Sequence, residues 1–278
     1  MQKQNHQRGL SLIELMVTLA ISSLLLLGIA QLYLDNKRNH AFQYNQTINL
    51  DNSRFASMTL DEAISRAGYR RSANTALDSV FQFRSATADC QAFKAGSVFT
   101  ALANNNEDGF CMRYEPAFSG ELDCQGEASN LTAAENKAFA PIPENKQIVL
   151  AFKHDINKST LVCKSLNNSN PAFVDLIDGV SDFRVFFGVN GSQLIDKKSI
   201  VGYVVTNDWS QNTDGYARAV SYSILLASRP RQRDGDSAIF QQWLSLADSG
   251  TKARLQAADN GQLYQLSSNS QIARNLMP

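Results

Sequence analysis

Glu14 is the only charged side chain between Arg8 and Asp35, set in a run that is otherwise apolar or uncharged. A carboxylate there can rest at lipid-headgroup depth. Placed deeper, it costs a few kcal/mol unless a cationic partner meets it, so the chemistry on offer is charge pairing inside an apolar layer. Cys90, Cys111, Cys124 and Cys163 form no Cys-x-x-Cys and have no histidine at metal-ligand spacing, which points to disulfides rather than zinc or a redox pair. Three connectivities satisfy the spacing. His40 and His154 stand alone and read as surface residues. No Gly-x-Ser-x-Gly, Walker loop or dinucleotide glycine pattern accompanies them. Asn104–Gly109 lacks the ligand alternation and final glutamate of a calcium loop and reads as a solvated turn. Arg229–Arg233 is a basic run followed at once by Asp234 and Asp236, and reads as a solvated connection. No catalytic residue, metal or cofactor is implied.

The elements that position these residues begin with the apolar run. Leu15–Leu34 alone covers roughly the 30 Å of a bilayer core at about 1.5 Å per residue, with no proline and one glycine, Gly28. The run is too long for a cleaved signal peptide, and no Ala-x-Ala follows it. Lys3 and Arg8 would hold the N-terminus in the cytoplasm and put everything after Asp35 on the far, oxidising side. Helical character continues to Ala67, with Phe42, Leu50, Phe55, Met58, Leu60 and Ile64 as its apolar stripe and Gly68 as its C-cap. A continuous helix from Leu10 would be about 58 residues and on the order of 85–90 Å long.

From Tyr69 short β-type runs follow: Val80–Arg84, Ser97–Leu102, Phe110–Tyr114, Gln147–Lys153, Thr160–Lys164, Asp182–Phe187, Ile200–Thr206 and Ala217–Ala227. Ile239–Leu246 reads as a short helix, and Leu263–Ile272 as a last strand. The expected fold class is therefore α+β: a long N-terminal helix, transmembrane in its first half, packed on one antiparallel sheet. Lysines plus arginines equal aspartates plus glutamates at 26 each. That balance provides no field for nucleic acid, and no specific nucleic-acid partner is expected.

Gln7-Arg8-Gly9 followed by Leu10-Ser11-Leu12-Ile13-Glu14-Leu15-Met16 resembles the prepilin N-terminus of type IV pilins and type II secretion pseudopilins. The resemblance implies cleavage after Gly9 by a prepilin peptidase and N-methylation of Leu10. Leucine is a departure from the usual phenylalanine or methionine. It also implies that Glu14 meets the amino group of a neighbouring subunit's first residue. Asn52–Ala56, Ser65–Arg70, Leu176–Val189, Tyr216–Arg229 and Ala273–Pro278 resemble the PilW family of type IV minor pilins. In that family the positions of Cys124 and Cys163 often hold a paired cysteine, which leaves Cys90 with Cys111.

The organisation implied is a leader at 1–9, a transmembrane assembly helix at 10–34, its continuation at 35–67 and a periplasmic β-rich head at 68–278. By resemblance the chain is a non-catalytic subunit that helps initiate pilus assembly, at or near the tip. It moves from the inner membrane, where lipid covers its helix, to the cell-surface pilus. Its partners would be other minor pilins, the major pilin, the peptidase and the inner-membrane assembly machinery. Twitching motility, adhesion and DNA uptake lie downstream. The rivals are the minor pseudopilin J of type II secretion and, from another class, a signal-anchored periplasmic enzyme or sugar-binding protein.

Overall fold

A computed structural model describes residues 11–167 and 172–276. The chain divides into two compact units between Thr47 and Ile48. Helix α1, Leu12–Arg66, runs through that division. Its hydroxyl side chains do not interrupt it. Thr18 Oγ1 donates to the Leu15 carbonyl at 3.0 Å and Ser23 Oγ to the Ala20 carbonyl at 2.8 Å, so each closes on its own turn. At the far end Gly68 takes φ +69°, and the Tyr69 N–H returns to the Arg66 carbonyl at 2.9 Å. A residue with a side chain would be strained there, which is why the helix stops at a glycine.

The second unit holds the rest of α1 and two antiparallel sheets. Helix α2 (Leu77–Val80) precedes strands β1 (Phe99–Thr100), β2 (Gly109–Tyr114), β3 (Ile148–Asp155), β4 (Thr160–Ser165) and β5 (Val174–Asp178), which pair in sequence order. The other sheet has the order β7-β6-β8-β9, built from β6 (Val180–Val189), β7 (Gly202–Val205), β8 (Ala217–Ala227) and β9 (Tyr264–Ile272). Helix α3 (Gln211–Asp214) precedes β8. Helices α4 (Ala238–Ser245) and α5 (Ser249–Ala258) lie between β8 and β9.

The expected class, a long helix with antiparallel β-structure, stands, but the strands divide between two sheets rather than one, and the division falls at a single residue. Gly179 has φ +76° and stands between β5 and β6, so the chain leaves one sheet and enters the other within one peptide. Its carbonyl takes the Ala227 N–H at 2.8 Å. A Cβ added there would meet the Ala227 oxygen at 3.1 Å. Val80–Arg84 is also not a strand. It is the end of α2 followed by an isolated bridge between Arg84 and Phe93. Helix α5 was not expected. Its start is fixed by Asp248, whose side chain accepts from the Gly250 and Thr251 amides.

One core joins α1 and both sheets, with Phe99, Phe110, Phe152, Phe183, Phe187 and Tyr222 all fully buried. Phe110 stacks on Phe152 at 5.4 Å, and Trp209 meets Phe187 edge-on at 5.1 Å. The helix face turned to this core matches the expected stripe only at Leu60 and Ile64. Leu50, Phe55 and Met58 are exposed, as is Phe42 in the first unit, and the buried positions are Asn49, Ser53, Ala56, Leu60 and Ile64. Small and polar side chains suit this face because the helix bonds directly to the sheets. Asn49 Nδ2 donates to the Leu263 carbonyl at 2.9 Å, Asn52 Nδ2 to the Asp178 carbonyl at 3.1 Å, and the Tyr222 hydroxyl to Asp61 at 2.8 Å.

Arg113 organises the irregular chain before β1. Fully buried, its guanidinium donates to the carbonyls of Phe81, Gln82, Lys94 and Ser97 and lies over the rings of Phe81 and Phe93. Four carbonyl dipoles and two ring faces take the place of a carboxylate. Burial still lowers its pKa to about 9.

Candidate assembly helix

Between Ser11 and Leu34, Glu14 is the sole charged side chain, and it sits in the first turn of α1. Its N–H and that of Leu15 both reach the Ser11 carbonyl, at 3.0 and 3.1 Å. Gly9 and Leu10 lie outside the described residues.

Every residue from Leu12 to Leu34 is exposed. Leu12 and Ile13 keep 79% and 71% of their surface, and an 18-residue window of this helix has mean hydropathy 2.3 with none of it buried. A core helix of a soluble domain is thereby excluded for this segment. Leucine, isoleucine and valine occur around the whole circumference, the pattern of a helix whose every side meets lipid or other helices. At about 1.5 Å per residue Leu12–Leu34 is roughly 34 Å long, enough to cross a bilayer core.

In the second unit Cys90 bonds to Cys111, with Cα atoms 6.0 Å apart, and Cys124 to Cys163 at 6.3 Å. The first lies in a small apolar cluster with Phe93, Leu102, Val149 and Ala151, on the side of the first sheet away from the main core. The second staples the 116–147 connection to β4 beside the core.

No catalytic constellation emerges among the described residues, and no group of three or more His, Cys, Asp or Glu could hold a metal there. His40 is exposed and stacks on Tyr44. His154 corrects the surface reading. It is buried, Nε2 lies 2.9 Å from the Val180 carbonyl, and burial lowers its pKa. It belongs to a polar joint that sequence reasoning missed. Asp182, nearly inaccessible, accepts from Trp243 Nε1 at 2.7 Å and Arg254 Nη2 at 2.5 Å, with Arg184 at 3.7 Å. This fastens α4 and α5 to β6. Asp108 stands beside it, accepts from Asn207 Nδ2 at 3.2 Å, and is pushed up to about 6 by burial and by the Asp182 charge. Asp108 lies near the end of the Asn104–Gly109 turn, whose residues 104–106 are exposed. In the basic run Arg229 and Arg231 are exposed, while Arg233 pairs with Asp259 at 2.7 Å.

Residues 4–30 match the family model described as the prokaryotic N-terminal methylation motif, and that segment contains Gly9, Leu10 and Glu14. The chain carries a prepilin-type methylation motif. The motif and the exposed apolar helix thus coincide in one stretch, consistent with a membrane-anchored chain. Among solved structures, a type IV-like pilin from Thermus thermophilus aligns at a TM-score of 0.43 and 13% identity, over 82% of this chain and 98% of that one. A comparison with curated proteins gave no match.

Proposed function

We propose that the chain is a non-catalytic minor pilin of the PilW type, one of the subunits that start a type IV pilus. The observation carrying this reading is the coincidence, within residues 4–30, of the methylation motif with an apolar helical stretch whose one charge, Glu14, lies in the first turn. Cleavage after Gly9 frees Leu10, whose amino group is then methylated, and the helix waits in the inner membrane with the second unit in the periplasm. Entry into a filament exchanges lipid for other pilin helices around the exposed circumference of Leu12–Leu34. Leucine surface is as well satisfied by lipid as by protein, so close packing and charge pairing supply the preference. Glu14 provides the charge pairing by meeting the amino group of an adjacent subunit's Leu10. A misaligned neighbour strands two charges in an apolar layer, and this fixes axial register. The two disulfides suit a head kept on the oxidising side.

Mass spectrometry of the mature N-terminus tests the reading. N-methyl-Leu10 is the expected first residue, and an intact Met1 would instead indicate a plain signal anchor. Recovery from cells with pilus subunits is expected, and recovery with secretion pseudopilins would refute the PilW assignment.

A further inference from the structure

Strand β9 is an open edge of the second sheet and is built unlike a protected one. Its sequence, Tyr264-Gln-Leu-Ser-Ser-Asn-Ser-Gln-Ile272, holds no charge and no proline, and it pairs with β8 without a bulge. Natural edges are commonly short, charged, bulged or covered, because unpaired backbone groups otherwise recruit another strand. The other edge of the same sheet, β7, has only four residues.

The register tells which groups are open. The Ser228 N–H donates to the Leu263 carbonyl and the Ala273 N–H to the Arg218 carbonyl, and the same register runs between them. Antiparallel ladders alternate, so residues 265, 267, 269 and 271 exchange bonds with β8. Leu266, Ser268, Ser270 and Ile272 therefore aim N–H and C=O outward. The Ser270 N–H is turned onto Asn269 Oδ1, and the Leu266 carbonyl takes Gln265 Nε2. The N–H groups of Leu266, Ser268 and Ile272 have no partner among the described residues. Helix α4 shields only the start of the strand, where Phe240 stacks on Tyr264 at 4.3 Å. The side chains of Leu266 and Ile272 are part-exposed on the sheet's outer face.

We propose that β9 from Leu266 to Ile272 is a docking edge for an extended, uncharged strand of a different filament subunit, which adds antiparallel to it. This rests on the assembly reading above. Geometry decides against a second copy joined through its own second sheet, and the edges of its first sheet are the two-residue β1 and β5, which carries Asp175 and Asp178. β9 runs in the same direction as α1 beside it, since Asn49 meets residue 263, Asp61 meets 269 and Ser65 meets 275. Two copies joined β9 to β9 in antiparallel fashion would point their helices in opposite directions, which subunits inserted from one membrane face cannot do. A copy's β7 runs the right way but is too short for this edge, and its Val205 carbonyl is already taken by the Asp208 and Trp209 amides. A foreign strand meets none of these obstacles. Uncharged residues on that strand match an edge that offers no counter-charge, and apolar ones would lie beside Leu266 and Ile272.

Residue-resolved hydrogen exchange on the full chain, in detergent and in assembled filaments, tests the proposal. The amides of Leu266, Ser268 and Ile272 are expected to slow by about 100-fold on assembly, while those of 265, 267, 269 and 271 are already slow in detergent. Ser268→Pro removes an outward N–H and spares the β8 ladder. Ser268→Lys adds the charge that protected edges carry. Both variants lose the exposed Ser268 hydroxyl bond to Ser223, so their melting temperatures should fall by only about 1–4 °C, while they enter filaments at least about tenfold less. Wild-type chain present in filaments with those amides still fast, or either variant entering normally, overturns the docking edge alone. Wild-type chain absent from filaments overturns both this proposal and the assembly reading.

Discussion

Asp108 and His154 press on stability in opposite directions across the same pH range, and Asp108→Asn separates them. Folding raises the Asp108 pKa from about 3.8 to about 6, first through burial and next through the neighbouring charge of Asp182, with Asn207, Arg254 and Arg184 opposing. Between those two values the folded chain holds the proton more tightly than the unfolded one, so stability falls as pH rises through the window and stays lower above it. At 1.36 kcal/mol per tenfold the cost above pH 6 approaches 3 kcal/mol, and residual contact with water brings it to about 1–3 kcal/mol. His154 works the other way. Burial lowers its folded pKa, so the unfolded chain takes up the proton first and stability falls as pH drops below about 6.5. Denaturant unfolding of wild type and Asp108→Asn, disulfides intact, should therefore coincide near pH 4. They should diverge until the variant is about 1–3 kcal/mol more stable at pH 7.5, a rise of about 3–10 °C in melting temperature for a domain of this size. The variant alone should lose stability steadily from pH 7 to pH 5, and His154→Gln in addition should flatten that loss. Equal stabilities of wild type and Asp108→Asn at every pH would show that the carboxylate is not held against its charge, and the argument for a strained joint beside Asp182 would be refuted.

Glu14→Ala is expected to leave membrane insertion and cleavage after Gly9 intact, while incorporation into filaments, measured by immunoblot of sheared fibres, drops at least about tenfold because an amino group is left unpaired. Arg113→Lys keeps the charge but cannot span four carbonyls at once, so denaturant melts should show a loss of about 3–5 kcal/mol. The paired serine substitutions at Cys124 and Cys163, which lie 39 residues apart, should cost about 4 kcal/mol. Those at Cys90 and Cys111, 21 apart, should cost about 3 kcal/mol by loop entropy, read from the same melts.

The first unit was legible because its signal is one-dimensional. A run with one charge and no proline has few folded outcomes, and Leu12–Leu34 is helical and exposed throughout. Strands with clean alternation were also legible, and Ile148–Phe152 and Val220–Leu225 lie within β3 and β8. What failed was wherever polar groups did the packing. Hydrophobicity chose Leu50, Phe55 and Met58 for the inner face of α1, yet Asn49 and Ser53 are inside, and Asn49 bonds the Leu263 carbonyl that closes the β8–β9 ladder. Arg113 and His154 escaped for the same reason, since their partners are backbone carbonyls distant in sequence and carbonyls leave no trace in residue type. Gly179 escaped for a different one. Between Lys164 and Ile200 only Asp182–Phe187 reads as a β-type run, so the strand before Gly179 went unread, and the positive φ of that glycine separates two strands of different sheets. The glycine was visible, but glycine in a strand also marks bulges and close backbone approach. Only the Ala227 N–H bonded to its carbonyl, with the Ala227 oxygen standing where a Cβ would go, makes this one a corner.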